Sequence, residues 1–243
     1  MQAYEAVARS FGFYTYEEYA RSASYDKLDF YKALSAWQQN QKPTNQIVPR
    51  AHPGYGTPDM YAPWNWPAPQ VFISPSNQHY NVGADDFGTE KDRMNEIAIA
   101  LHIELARQGI TVYRAPAGTS STDAVAMSNR NNVAIHVALH SNAASGNKAG
   151  QVRGTEIHTR ANDATSMSLA SDVLSSIMTI APSVDDWNRG IKHSAFRELR
   201  GVDATSIYIE YAFHDNPDDA RWIVDNIDEI ARLTAQGIVN HLR

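Results

Sequence analysis

Four residues of this chain combine metal-binding or proton-transferring chemistry with a shared kind of position: His79, Glu90, His140 and Glu210. His79 follows the apolar run "VFIS", His140 closes "VAIHVALH", Glu210 closes "TSIYIE", and Glu90 lies in "GTEKD" at the predicted start of a helix. In open α/β sheets the functional groups gather at the carboxyl edge, where each strand hands its last side chains to a turn. Two imidazoles and two carboxylates converging there suit hydrolysis assisted by zinc. Two or three N/O donors leave a coordination position open for water, and a further carboxylate can take that water's proton and pass it to a leaving amine. The chain has no cysteine, so disulfides, thiolate nucleophiles and cysteine-based zinc sites are excluded, and a metal site must use His, Asp and Glu. No G-x-S-x-G elbow is present to supply a nucleophilic serine.

The elements that must position these residues are legible as alternating patterns beyond Gln70. Apolar, β-prone runs occur at "QVFIS", "ITVYRA", "NVAIHVALH", "GTEIHT" and "TSIYIEYAF", most of them too continuously apolar to have a wet face. Between them, Met94, Ile97, Ala98, Leu101 and Leu105 keep helical spacing, as do Ile223, Ile227, Ile230 and Leu233. Strand and helix in alternation predict βαβ units and a three-layer α/β/α domain over residues 70–243 with a mostly parallel twisted sheet.

Two segments precede that domain. Residues 1–42 carry short helical stretches, with Thr15 and Glu18 spaced as a capping box and Leu28, Tyr31, Leu34 and Trp37 forming an apolar stripe, and are expected to form a small helical module. Residues 43–69 are rich in proline and aromatic residues, which disfavours helix and predicts a linker that packs onto something. A formal net charge of -6 without a basic stripe argues against nucleic acid as a partner. No apolar run approaches the roughly 20 residues that cross a bilayer, so no membrane insertion is expected.

Four stretches in order, "GTEKDRMNEIAIAL" (88–101), "ALHSNA" (138–143), "NRGIKHSAFRELR" (188–200) and "IYIEYAFHDNPDDA" (207–220), resemble the zinc-dependent N-acetylmuramoyl-L-alanine amidases of the Amidase_3 type. The resemblance spans about residues 70–243. It implies a peptidoglycan hydrolase that cleaves the amide between the lactyl group of N-acetylmuramic acid and the L-alanine of the stem peptide. It further implies Glu90 and His140 as zinc ligands, Glu210 as the catalytic glutamate, and Asn142 as a residue that shapes the site. His214, just beyond Glu210, is a candidate for substrate contact or for orienting the glutamate.

The opening loop departs from the family, which reads Asp-Pro-Gly-His-Gly-Gly after its first strand. An ungapped match places Asn77 at the histidine position, with His79 two residues further on. Either His79 reaches the metal through a shifted loop, which is the expectation adopted here, or Asn77 keeps the position and the metal rests on Glu90 and His140. The departure also leaves open a degenerate domain that binds peptidoglycan or a partner without cleaving it, and a zinc peptidase acting on another amide. His136, four residues before His140 on the same strand face, is expected beneath the site, and His158 and His193 at solvated surface. The first residues, "MQAYEAVARSFGFYTYEEY", lack a basic region followed by an apolar one, so no secretory signal is expected. Synthesis in the cytoplasm followed by holin-type release or by injection, as for an endolysin or a lytic effector, would bring such a chain to the cell wall. The N-terminal module would then serve delivery or wall contact.

Overall fold

In the computed structural model, which describes residues 69–243, the five apolar runs become five strands of one six-stranded sheet. The expected N-terminal helical module and all but the last residue of the linker lie outside the described residues. The strands are β1 (Gln70–Pro75), β2 (Thr111–Arg114), β3 (Ile135–Asn142), β4 (Thr155–Thr159), β5 (Asn188–His193) and β6 (Thr205–Phe213). The helices are α1 (Glu90–Arg107), α2 (Ser121–Arg130), α3 (Ala164–Ile177), α4 (Val184–Trp187), α5 (Arg197–Arg200), α6 (Pro217–Asp225) and α7 (Ile227–His241). Among the described residues no helix is long and apolar enough to cross a membrane.

The strand order is β2-β1-β3-β6-β4-β5. Pairing is parallel except where β4 runs antiparallel to β6, so the sheet is mixed but mostly parallel. β5 is the strand that the apolar pattern does not reveal. Its sequence, NRGIKH, holds a single aliphatic side chain, and as an edge strand paired only with β4 it does not need two dry faces.

The two faces of the sheet differ in kind, because side chains alternate along a strand. On β3 and β6, Val137, Leu139, Ile207, Ile209 and Tyr211 are fully buried and pack with Met94, Ile97 and Leu101 of α1 and Ile230 and Ile238 of α7. The opposite face carries His136 and His140 of β3, Tyr208 and Glu210 of β6, and Glu156 and His158 of β4. The registers His140↔Glu210 and Glu156↔Glu210 set three of these side by side. A smaller apolar cluster of Phe72, Ala115, Ala124, Val133 and Ala204 closes that face towards its far end. The covering helices there, α2 and the four-residue α5, are short. The carboxyl ends of the central strands are thereby left to polar side chains.

The loop from Ser76 to Thr89 folds back over this edge. Ser76 N–H donates to Leu139 O at 3.0 Å, Val82 bridges to Thr89, and Gly83 N–H donates to Gly88 O at 3.0 Å. Gly88 takes φ +76°, a left-handed conformation that suits glycine. Thr89 then caps α1, its hydroxyl accepting from Asp92 N–H, and this fixes Glu90 as the first helical residue. Gly83 is needed for a different reason, close approach: a Cβ there would lie 2.3 Å from the Phe87 ring and 2.8 Å from His214 O. Gly83→Ala should therefore lower stability by about 1–3 kcal/mol, the usual cost of overpacking, as measured by urea unfolding. An unchanged midpoint would show that the loop yields without cost and does not hold the site.

Candidate active site

Glu90 anchors the site. It is fully buried at the positive end of α1, where the helix dipole favours a carboxylate. Its Oε1 accepts from His140 Nδ1 at 2.8 Å and from Gln78 Nε2 at 3.2 Å, and its Oε2 accepts from Asn81 Nδ2 at 2.7 Å. Burial alone would raise its pKa, but the bonds to His140, Asn81 and Ser76 and the field of His140 outweigh burial and hold it below the ordinary carboxylate value.

His140 faces Glu90 with one nitrogen and a second carboxylate with the other. Its ring stacks on Tyr208, centroids 4.0 Å apart, and its Nε2 lies 3.8 Å from Glu198 Oε2. The other oxygen of Glu198 lies 3.3 Å from His136 Nε2, and the His136 ring stacks on Phe72. These contacts are at ion-pair distance without hydrogen-bond alignment, since His136 Nε2, His140 Nε2 and Glu198 Oε1 have no hydrogen-bond partner. Burial disfavours a charged His140 ring, yet Glu198, Glu90 and Glu210 together outweigh it and push its pKa up. Glu198 is driven down against its own burial by His136 and His140.

Glu210 lies beside His140 in register, and its Oε2 is buried without a hydrogen-bond partner. Burial pushes its pKa up to about 8, helped by the negative charges of Glu90 and Glu156 and opposed by His140 and Lys192. Glu156, its neighbour on β4, is the reverse case. Burial would raise it, but it accepts from His158 Nε2 at 3.1 Å, from Arg189 Nε at 2.7 Å, from Asn142 Nδ2 at 3.1 Å and from Lys192 Nζ, and its pKa falls to about 2. Two adjacent carboxylates are thus separated in acidity by their surroundings, the arrangement that lets one hold or release a proton near neutral pH while the other stays charged.

The structure brings Glu90, His140 and Glu210 together and keeps His79 apart. His79 is exposed on a turn with its ring edge-on to Tyr80. Asn77 lines a cleft of about 300 Å³ beside Gln78, Tyr80, His140, Phe196 and Tyr208. A larger cleft, between the Asp85–Phe87 turn and α6, contains none of these groups. Asn142 is spent on Glu156 and on Ala143 N–H. His214 is buried against Phe87 and hydrogen-bonded to Ser141 Oγ, so it braces the loop from below. His136 is buried beneath the site as its spacing predicts. His158 is also buried, contrary to expectation, because β5 and Phe196 cover it.

Gln78, Asn81, Glu156 and Glu198 are site neighbours that the sequence reading did not single out. Glu156 and His158 could have been found from the alternation in "TEIHT", which puts both on the face of Glu210. Glu198 sits inside the stretch "NRGIKHSAFRELR" but on a helix too short to show a periodic face.

Among the described residues no group of three His, Cys, Asp or Glu side chains is placed to hold a metal ion. Two donors do converge, the anionic oxygen of Glu90 and the Nδ1 of His140, and this pair fits a divalent ion that accepts O and N ligands.

Comparison with known proteins gives consistent results. A family model described as N-acetylmuramoyl-L-alanine amidase (Amidase_3) matches residues 71–240. Comparison with curated protein sequences returned no match. The fold resembles an N-acetylmuramoyl-L-alanine amidase from Clostridium difficile 630, with 27% identity and a TM-score of 0.61 over 72% of this chain and 97% of that one. It also resembles the amidase AmiC2 of Nostoc punctiforme (21% identity, TM-score 0.62, 72% of this chain and 97% of that one). The catalytic domain of the CD27L endolysin targeting Clostridia difficile is a third match (21%, 0.58, 70% and 97%), and at these last two identities the likeness is one of fold.

The buried Glu198 generates a prediction about acid stability. Its pKa is depressed in the fold from 4.5 to about 2, so its contribution is fully present above pH 4.5 and is lost as pH falls through that window. Glu198→Gln should cost about 1–3 kcal/mol in urea unfolding at pH 7, and the gap to the parent should narrow between about pH 4.5 and 2. A gap that stays constant over that range would mean that Glu198 is not held as an anion.

Proposed function

Because the chain belongs to the N-acetylmuramoyl-L-alanine amidase family, a family of peptidoglycan hydrolases, we propose that it cleaves the lactyl–L-alanine amide with the help of a zinc ion held by Glu90 and His140 and with Glu210 as the proton carrier. The observation that carries this reading is the contact of Glu90 with His140 at 2.8 Å beside Glu210. Bound zinc would supply a Lewis acid for the amide carbonyl and the attacking water, and its charge would favour ionised Glu210.

The protein's own residues do the rest. Glu90 and His140 are rigid because one sits in the first turn of a capped helix and the other near the end of a central strand, stacked on Tyr208 and facing Glu198. Glu210 takes a proton from the attacking water and returns it to the departing alanine nitrogen, so the amine leaves neutral. Its elevated proton affinity suits the second half of that exchange. Asn77, Tyr80 and Phe196 form the walls against which a muramyl group or stem peptide would lie.

A second reading is a domain that binds peptidoglycan without cleaving it. It is favoured by the lack, among the described residues, of a third His, Asp or Glu donor.

Digestion of sacculi followed by mass spectrometry separates the two. Hydrolysis should release stem peptides with a free N-terminal alanine and leave the glycan strands uncut. New reducing sugar ends without new amines would overturn the amidase reading, and retained binding with no products would favour the second one. Glu210→Gln should keep the parent's zinc content while lowering turnover by about a hundredfold or more, the range for loss of a general acid–base group. Loss of zinc in that variant would make Glu210 a ligand instead.

A further inference from the structure

We propose that Gln78 completes the metal site as its third protein donor, through its side-chain carboxamide. The inference rests on the zinc reading above and concerns a residue between the two positions, Asn77 and His79, that the sequence offered. Three observations support it.

The first is shape. The carboxamide nitrogen of Gln78 lies 3.2 Å from Glu90 Oε1 and 3.3 Å from His140 Nδ1, and those two atoms are 2.8 Å apart. Donor atoms bound at 2.0–2.1 Å to a tetrahedral ion lie about 3.3–3.4 Å from one another. Two edges of the triangle, at 3.2 and 3.3 Å, are close to that length. The third is shortened by the hydrogen bond between Glu90 and His140.

The second is hydrogen-bond geometry: with the amide nitrogen of Gln78 facing inward, the three contacts of this triangle are not all satisfied at once. An Nδ1–H on His140 serves Glu90 but faces the Gln78 amide hydrogens, donor against donor. A bare Nδ1 accepts from Gln78 but leaves a lone pair against the Glu90 carboxylate. With the carboxamide turned to present oxygen, O, O and N all become acceptors directed at one point, as a cation requires. The terminal amide torsion is soft and roughly two-fold, and which atom faces inward follows the charge at the centre. The turn would cost the Gln78 Oε1 contacts with Asn81 Nδ2 at 3.1 Å and Tyr80 Oη at 3.4 Å. It leaves the 2.7 Å bond from Asn81 to Glu90 Oε2 intact, so Glu90 still offers Oε1.

The third is the backbone. Gln78 N–H donates to Ser76 Oγ at 3.2 Å and Gln78 O accepts from Lys91 N–H at 3.4 Å, which ties the residue to both walls of the site. The turn centred on Gln78, closed by His79 N–H to Asn77 O at 2.9 Å, leaves His79 exposed.

A neutral carboxamide is a weaker donor than imidazole, so zinc affinity should respond in both directions. Competition of the full-length protein against a fluorescent zinc indicator, with zinc as the sole ligand, measures it, and melting curves in chelator establish that each variant is folded. Gln78→Ala should weaken zinc binding about 10- to 100-fold, Gln78→His should tighten it about tenfold or more, and His79→Ala should match the parent. Parent-like affinity in Gln78→Ala, or weakened binding in His79→Ala, would overturn the proposal while leaving the zinc reading in place. A folded parent that binds no zinc would overturn both. If Gln78→Ala does not fold, Gln78→His and His79→Ala still decide: tightening in the first with no change in the second supports Gln78, and the reverse pattern rejects it.

Discussion

The site depends on one contact, the 2.8 Å bond between His140 and Glu90, made between residues 50 positions apart and both buried. It requires the end of β3 and the first turn of α1 to meet at one point to within a few tenths of an ångström. The crossover from β1 through the Ser76–Thr89 loop into α1 supplies that meeting, and three of its positions serve it: Gly88 with φ +76°, Thr89 as the cap, and Gly83 against Phe87. A buried ionic pair of this kind is weak evidence for stability, because desolvation offsets much of the attraction. Its persistence in the centre of a polar cleft is better explained by chemistry than by folding.

Charge balance gives the pair its meaning. Glu90, Glu198 and Glu210 surround a single imidazole, and Glu156 stands one strand further on. Lys192 and Arg189 neutralise Glu156, to which His158 is also hydrogen-bonded, leaving the other three to face His140 and His136. The excess is relieved on Glu210, whose pKa burial and its acidic neighbours lift to about 8. A cleft that strains to carry its negative charge is one that welcomes a cation, and a carboxylate poised near neutral pH is one that can exchange a proton in either direction. The same electrostatics therefore underlies both halves of the proposed reaction.

Much of this is legible in the amino-acid sequence. The five apolar runs announced five strands, the spacing of Met94, Ile97, Leu101 and Leu105 announced α1, and strand ends pointed to His140, Glu210 and Glu90. What escaped had physical reasons. β5 is an edge strand whose NRGIKH pairs on one side only, so it carries no hydrophobic signature. Glu198 acts from a single helical turn. Expectation at the first strand's end favoured imidazole over carboxamide, and a one-residue difference in where a loop turns inward is not encoded in periodicity. Hydrogen bonds of Gln78 to Ser76 and Asn81 within the loop and to Lys91 of α1 decide it instead, and these bring Gln78 to the pair while His79 turns to solvent.

Zinc K-edge X-ray absorption on the loaded protein tests this account most directly, since multiple scattering counts imidazoles in the coordination shell. A shell built on the His140–Glu90 pair holds one imidazole, that of His140, with oxygen donors completing it at about 2.0–2.2 Å. Two imidazoles would place His79 or another histidine on the metal and contradict the geometry described here, and a shell with no imidazole would remove the His140–Glu90 pair from the chemistry altogether.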